Sequence, residues 1–419
     1  MSTSSSRSLS AAALARILPA YLAIVLLYIN IFALPPITVA LMAETGIGHF
    51  QAGLLMTVYT VVYCLGNIFT GILSDRFGPS RVMFGGLVAG FLGALLFTFT
   101  RGYSVMLASR VCLGLAAAAM TSPCLVYLYG WLPPERRALG VSGQLASLTL
   151  GAALAFLLTP LLITALPWRV LLRFYALTGM AVLVIFRLVT RDPPGEREKT
   201  AGPEKRIGEV FRNPALLLLS GVLFISLFQI SGTMTWLAPW LEEKCGLTPL
   251  RIGLGAAAFS LIGIPSTLVG GALATRFGPG GVRKTVRLSM IGMLVSASTG
   301  AFIFLEKPGM FPLVLAVIIL ARWGSFMSVG PLLALVPRLV RPELAGKAAG
   351  LVNSVAMSGG FAASLLAGLA IEKTGQYHLV WLGFAGALLA SAIGLHPLLA
   401  RALSVSGAAG KTEKTGGAI

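Results

Sequence analysis

Apolar runs of about 20 residues, the length that spans a membrane as a helix, recur along almost the whole chain, each closed by charged or turn-forming residues. Wound at 1.5 Å per residue, such a run crosses a hydrocarbon core about 30 Å thick. In that medium only a helix or a closed barrel satisfies its own backbone polar groups. Twelve runs are separable, at 17–42, 50–74, 81–100, 103–130, 137–164, 168–188, 213–241, 249–275, 284–305, 311–336, 343–372 and 377–402. The fold class that follows is an all-α integral membrane protein with twelve transmembrane helices. Composition agrees, since 56% of residues are hydrophobic and 11% charged, whereas a soluble domain carries about 25% charged residues.

The sixth and seventh runs are separated by "RDPPGEREKTAGPEKRIGEVFRNP", a polar stretch that divides the helices into two sets of six. The domains read from the sequence are an N-terminal tail 1–16, a six-helix bundle 17–188, a linker 189–212, a second bundle 213–402 and a C-terminal tail 403–419. Net charge is +18, but in a chain of many spans excess Lys and Arg set topology, so no nucleic-acid partner is implied. With both termini inside, 23 of the 32 Lys and Arg fall in cytoplasmic segments, 7 outside and 2 in the membrane. The expectation is a multi-pass protein of the plasma (inner) membrane with both termini cytoplasmic. The lipid bilayer is its one large partner, and the chain is expected to be a monomer.

The start, "MSTSSSRSLSAAALAR", leads into a full-length apolar run without a short core and cleavage site, so the first helix reads as retained rather than as a signal peptide. Cys64, Cys112, Cys124 and Cys245 lack paired or metal-ligand spacing. His49, His378 and His396 are scattered, so neither a metal nor a cofactor is expected. No nucleophile–base pair stands out, and the soluble loops are too short for a catalytic domain. An enzyme is not indicated.

Two short polar turns share one frame. "GILSDRFGPSR" begins at 71 and "GALATRFGPGG" at 271, 200 residues later, and each falls between the second and third helices of its own half. Arg110 in "SRVCLG" and Arg322 in "ARWGSF" form a second pair, and the following connections "PPERRALG" and "RPELAGKAAG" also match. In these features the whole chain resembles the major facilitator superfamily, whose loop motif G-x-L-x-D-R-x-G is met by Gly71, Leu73, Asp75, Arg76 and Gly78. A degenerate copy stands at Gly271, Leu273, Arg276 and Gly278, with Thr275 in place of the acid. The resemblance implies two pseudo-symmetric six-helix bundles and rocker-switch alternating access. It further implies that Asp75 helps latch the outward-facing state against helix 11, a role one loop can fill alone. Pro79 and Ser80 depart from the family pattern, where basic residues are common. The motif residues Gly71, Asp75, Arg76, Gly78, Gly271, Arg276 and Gly278 form the candidate conformational gate.

The membrane interior holds the clue to substrate. All 14 acids can be placed at helix ends, loops or tails, so no embedded carboxylate presents itself as a proton carrier of the kind many transporters use. Arg322 lies roughly 16 Å into helix 10, near mid-depth, and Arg110 roughly 10 Å into helix 4. A charge at the bilayer centre costs at least about 2.5–3.5 kcal/mol. Each arginine therefore needs carbonyls, hydroxyls, water or an anionic substrate. For Arg110 the family's recurrent helix-4 arginine suggests backbone oxygens; for Arg322 a guanidinium fork suits carboxylate or nitrate-like oxyanions.

Other polar groups at cavity depth are Tyr28, Asn30, Tyr59, Tyr63, Asn67, Gln144, Gln229, Thr233, Trp236 and Asn353. Each reads either as an interhelical contact or as a cavity ligand, and together they describe an uncharged, aromatic-lined pocket. Pro35, Pro36 and Pro265 should interrupt their helices. Helix 5 lacks the Gly-Pro-rich motif of the superfamily's drug–proton antiporters. Helices 2 and 8 lack the arginines of nitrate/nitrite porters, and helix 8 that of monocarboxylate porters. The expected function is secondary active transport of a small organic or inorganic anion, with or without a co-transported or exchanged ion. Efflux of an uncharged or cationic amphiphile is the alternative within transport, and a non-transporting membrane receptor or scaffold is the alternative outside it.

Overall fold

In the computed structural model the residues described are 11–133, 137–192, 212–277, 281–333, 335–336, 339–340 and 345–403. Among them the regular structure is entirely helical, without a strand. Eleven helical stretches are long and apolar enough to cross a membrane. A twelfth appears when His49–Asn67 and Phe69–Phe77, bent by 45°, are counted as one span. The chain divides into two compact units, one of Met1–Ile47 with Val58–Thr200, the other of Gly48–Thr57 with Ala201–Ile419.

The first unit contains α1 (Ala11–Phe32), α2 (Leu34–Thr45), most of α3 (His49–Phe77), α4 (Pro79–Phe99), α5 (Tyr103–Ala119), α6 (Ser122–Trp131), α7 (Arg137–Leu162) and α8 (Trp168–Val189). As the sequence predicts, Pro35 and Pro36 break the first span, and they fall in the opening turn of α2. The span expected to run unbroken over 103–130 is also in two pieces. Pro123 stands in the first turn of α6, and without an N–H it cannot continue the ladder from α5. Leu27, Leu87, Phe91, Ala116, Tyr127 and Phe186 are buried together in the core of this unit.

The second unit contains α9 (Pro214–Glu243), α10 (Pro249–Leu261), α11 (Gly263–Arg276), α12 (Val282–Ser296), α13 (Phe311–Leu333), α14 (Ala345–Thr374) and α15 (Tyr377–Ala390). Asn213 caps α9, its side chain accepting from the N–H groups of Ala215 and Leu216 at 3.0 and 3.2 Å, which relieves two orphan donors of the first turn. Pro265 marks the break between α10 and α11, as expected. The span of α12 ends as a 3-10 helix over Ala297–Phe304, and α15 passes into a π-turn over Ser391–Leu395. His396 stabilises that turn, its Nδ1 lying 3.0 Å from the Ser391 carbonyl and its Nε2 3.1 Å from Ser289 Oγ. Leu219, Leu223, Val286, Met293, Leu332 and Leu388 are among the buried core. Phe69, Phe99, Phe174, Leu268 and Phe304 are exposed, a surface suited to acyl chains rather than to water.

The turn after α3 depends on a glycine. Gly78 has φ +93° and ψ 144°, a region almost reserved for glycine, and a Cβ there would run into the Asp192 carboxylate. We expect Gly78→Ala to cost about 1–3 kcal/mol, read as a lower thermal midpoint of the purified protein. An unchanged midpoint would contradict this account of the turn.

Candidate functional site

The two membrane arginines are both buried with Nε unpartnered, and differ in the contacts of their other nitrogens. Arg110, on α5, is 2% exposed, and its Nη1 donates to the Ile31 carbonyl at 3.3 Å. In an unbroken helix that carbonyl would accept from residue 35, but Pro35 has no N–H to give. Arg110 therefore satisfies an acceptor that the broken first span creates, while its guanidinium carbon lies 5.1 Å from the Phe97 ring centroid. One of its nitrogens thus meets a backbone oxygen, while its Nε is buried without a hydrogen-bond partner.

Tyr28 and Tyr59 are buried in one core, with Tyr63 packed against it. Tyr59 stacks on Tyr63 with centroids 6.3 Å apart. Asn67 donates to the Tyr63 carbonyl at 2.8 Å and accepts from Ser122 Oγ at 3.2 Å. Gln144 reaches from α7 to the carbonyls of Met120 and Thr121, at 2.8 and 3.2 Å, and so fastens the α5–α6 break. Asn30 donates to the carbonyls of Leu26 and Tyr175, at 2.9 and 3.2 Å, and so joins α1 to α8. Tyr28, Tyr59 and Tyr63 thus form one aromatic group, whereas the amide nitrogens of Asn30 and Gln144 are committed to helix carbonyls.

Arg322, on α13, is 5% exposed. Its guanidinium carbon lies 3.9 Å from the Phe326 ring centroid and 4.4 Å from that of Phe259. A cation over a phenyl face is favoured by the ring quadrupole, but the rings offer no hydrogen-bond acceptor to the guanidinium. Its Nε and Nη1 are buried without a hydrogen-bond partner. Gly263, at the α10–α11 break, lies against it, since a Cβ there would sit 3.3 Å from Nε and Nη2. Among the described residues no ion pair involves either arginine.

A neutral network backs this centre. Gln229 accepts from Ser325 Oγ at 2.8 Å and donates to Thr233 at 3.2 Å. Ser325 Oγ also meets Ser296 Oγ at 2.9 Å, so α9, α12 and α13 are tied by hydroxyls and one amide. Ser325 follows Arg322 by three residues on the same helix, close to the same face. Trp236 donates from its indole to the Ser364 carbonyl at 3.1 Å, and Asn353 is exposed on α14. The neighbours of Arg322 that sequence reasoning missed are Phe259 and Phe326, which look like ordinary apolar residues. Phe326 alone carried a signal, being four residues from Arg322 on one helix.

Of the motif residues, Gly71 and Gly271 have no neighbour within 4 Å of a Cβ position, Asp75, Arg76 and Arg276 are exposed, and Gly278 lies outside the described residues. The carboxylate on the first turn of α4 is that of Asp192, which accepts from the Ser80 N–H at 2.9 Å at a helix end that favours an anion. Sequence reading did not single it out, because its partner is 112 positions away. Among the cysteines, Cys245 has its thiol pushed up to about 12 by burial and by the nearby Glu306, which keeps it protonated and unreactive.

Comparison with known proteins agrees with this architecture. The family model described as Major Facilitator Superfamily matches residues 20–364 and 219–416. The hexuronate transporter of Bacillus subtilis is 22% identical over 78% of this chain and 80% of its own. The probable sulfoacetate transporter SauU of Cupriavidus necator is 24% identical over 85% and 87%. The nitrite extrusion protein of Bacillus subtilis is 24% identical over 82% and 84%. In structure, the chain is similar to a bacterial homologue of the human lysosomal transporter Spinster, with a TM-score of 0.75 at 16% identity over 95% of this chain and 98% of that one.

Proposed function

This chain belongs to the major facilitator superfamily, and from that premise we propose that it is a secondary transporter of a small organic or inorganic oxyanion, working by alternating access of two six-helix bundles. The observation that carries this reading is Arg322, a buried guanidinium with two unpartnered nitrogens and, among the described residues, no carboxylate counterion. A buried donor left unmade costs about 1–3 kcal/mol, more when charged, and an oxyanion that accepts from the guanidinium offsets that cost. The phenyl rings of Phe259 and Phe326 lie against the guanidinium, which leaves its N–H groups to meet a ligand. Three relatives named for hexuronate, sulfoacetate and nitrite are consistent with an oxyanion cargo.

In this reading Tyr28, Tyr59 and Tyr63 supply aromatic lining in the first unit, and Gln229, Thr233 and Trp236 brace the second. Gly71, Asp75, Arg76 and Gly78, with Gly271, Arg276 and Gly278, form the loops that change contacts as the bundles move, and Asp75 latches one state. The protein sits in the inner membrane with both termini cytoplasmic and acts as a monomer. Uptake of labelled hexuronate, sulfoacetate, nitrite and a lipophilic cation into proteoliposomes, with and without a pH gradient, tests the proposal. Accumulation of an oxyanion supports it. Movement of the lipophilic cation alone would replace it with amphiphile efflux, and movement of nothing by folded protein would favour the receptor reading.

A further inference from the structure

The start of α3 is held in the second unit by two acids of different kinds. Glu372, on α14, accepts from the backbone N–H of Phe50 at 2.6 Å. A carboxylate suits that position because the first turn of a helix carries partial positive charge. This contact needs no ionisable partner on α3.

The second acid is Glu243, the last residue of α9. Its Oε2 accepts from the Tyr377 hydroxyl at 3.1 Å and lies 3.5 Å from Nε2 of His49, the first residue of α3. That Nε2 is buried with no hydrogen-bond partner, while the His49 and Glu243 side chains as wholes are 25% and 24% exposed. The imidazole is fixed by its neighbours: it stacks on Trp236 at 5.8 Å and 30°, and meets Tyr377 edge-on at 6.3 Å and 79°. Trp236 is itself anchored through its bond to Ser364.

We propose that His49, Glu243 and Tyr377 form a proton-binding site whose occupancy sets how firmly the start of α3 is held in the second unit. A proton from solvent binds Nε2, and the imidazolium then donates to Glu243 Oε2, while Tyr377 keeps its own proton. The distance of 3.5 Å has only to close to the 2.7–2.9 Å of a charge-assisted bond. The acids around the ring favour the cation. Glu243 terminates a helix, where negative charge opposes the dipole; Glu242 precedes it, and Glu372 stands on α14. Lys244 and Lys373 are exposed, and His378 follows Tyr377 half-buried. Without the proton, Glu243 Oε2 faces an unpartnered ring nitrogen, and the hold on the start of α3 falls to Glu372 and to the Thr57 hydroxyl, which donates to the Phe361 carbonyl at 3.1 Å. From Val58 onward α3 belongs to the first unit.

Acidification should therefore tighten the start of α3. The test uses the full-length protein in lipid nanodiscs, titrated from alkaline to acid pH, with two readouts. Indole emission should fall as the stacked imidazole becomes a cation, and amide exchange of residues 49–57, corrected for its intrinsic pH dependence, should slow. His49→Gln, which keeps size and polarity at a partly exposed position, should remove the emission change. Glu243→Gln should move it to lower pH and abolish the pH dependence of exchange. An emission transition that persists in His49→Gln overturns the site. Exchange of 49–57 that ignores pH in the wild-type protein overturns its hold on α3. Neither result bears on the oxyanion at Arg322, so the two readings fail separately.

Discussion

Arg322→Ala is expected to lose oxyanion binding almost entirely while remaining folded and monodisperse. Removing one partner of a buried, hydrogen-bonded charge pair commonly costs about 2–5 kcal/mol, or roughly 30- to 4,000-fold in affinity. The protein itself should tolerate the change, because the side chain makes no ion pair among the described residues and leaves two nitrogens unbonded. Arg322→Lys keeps the charge but loses the guanidinium, so it should weaken binding without abolishing it. Arg110→Ala provides the contrast. It strips the Ile31 carbonyl of its donor, and a buried acceptor left unsatisfied costs about 1–3 kcal/mol, so stability should fall more than affinity. A binding titration beside a thermal melt for each variant separates these outcomes. Normal oxyanion binding by Arg322→Ala would remove the main support for the proposed cargo.

Gly324→Val should be the most damaging single change to the second unit. A Cβ at Gly324 would collide with the Gly292 carbonyl, and one at Gly292 would meet the Gly324 carbonyl in turn. The backbones of α12 and α13 therefore touch, as small residues permit in membrane bundles. Overpacking a closed core typically costs about 1–3 kcal/mol and occasionally more. Here the obstacle is backbone, which cannot rotate aside, so the upper end is expected. The same shift would pull Ser296 from the Ala321 carbonyl, 3.0 Å away, and from Ser325. Size-exclusion profiles and melting midpoints should show a poorly folded or strongly destabilised variant; a wild-type midpoint would contradict the contact.

The spans were legible because hydrocarbon imposes a length and a polarity that any apolar run reveals. Breaks at prolines were only half legible. Pro35, Pro36 and Pro265 stood out, but Pro123 was read through because the residues around it remain apolar. The 3-10 stretch Ala297–Phe304 left no mark, since its composition is that of any membrane helix. At the candidate site, burial without a counterion could be inferred for Arg322 because no acid lies at its depth. What distinguishes it from Arg110 could not. That depends on which side chain meets the carbonyl freed by Pro35, a pairing across 79 residues, and on two phenylalanines indistinguishable in sequence from core. Asp192 was likewise hidden, since a helix cap contributed from another helix's end has no local signature.

That no described carboxylate pairs with Arg322 bears on electrical behaviour. Its charge moves with the protein, and carrying one elementary charge through the whole membrane potential is worth about 2.3 kcal/mol per 100 mV. Under the oxyanion reading, a bound monoanion cancels that charge, so the loaded carrier crosses the field with one positive charge fewer than the empty one. Voltage then acts chiefly on the empty carrier's return. A negative cytoplasm draws the unloaded form toward the state that holds Arg322 nearer the inner face. The potential thereby sets how many empty carriers wait on each side, while the anion's own gradient sets which way the cargo runs.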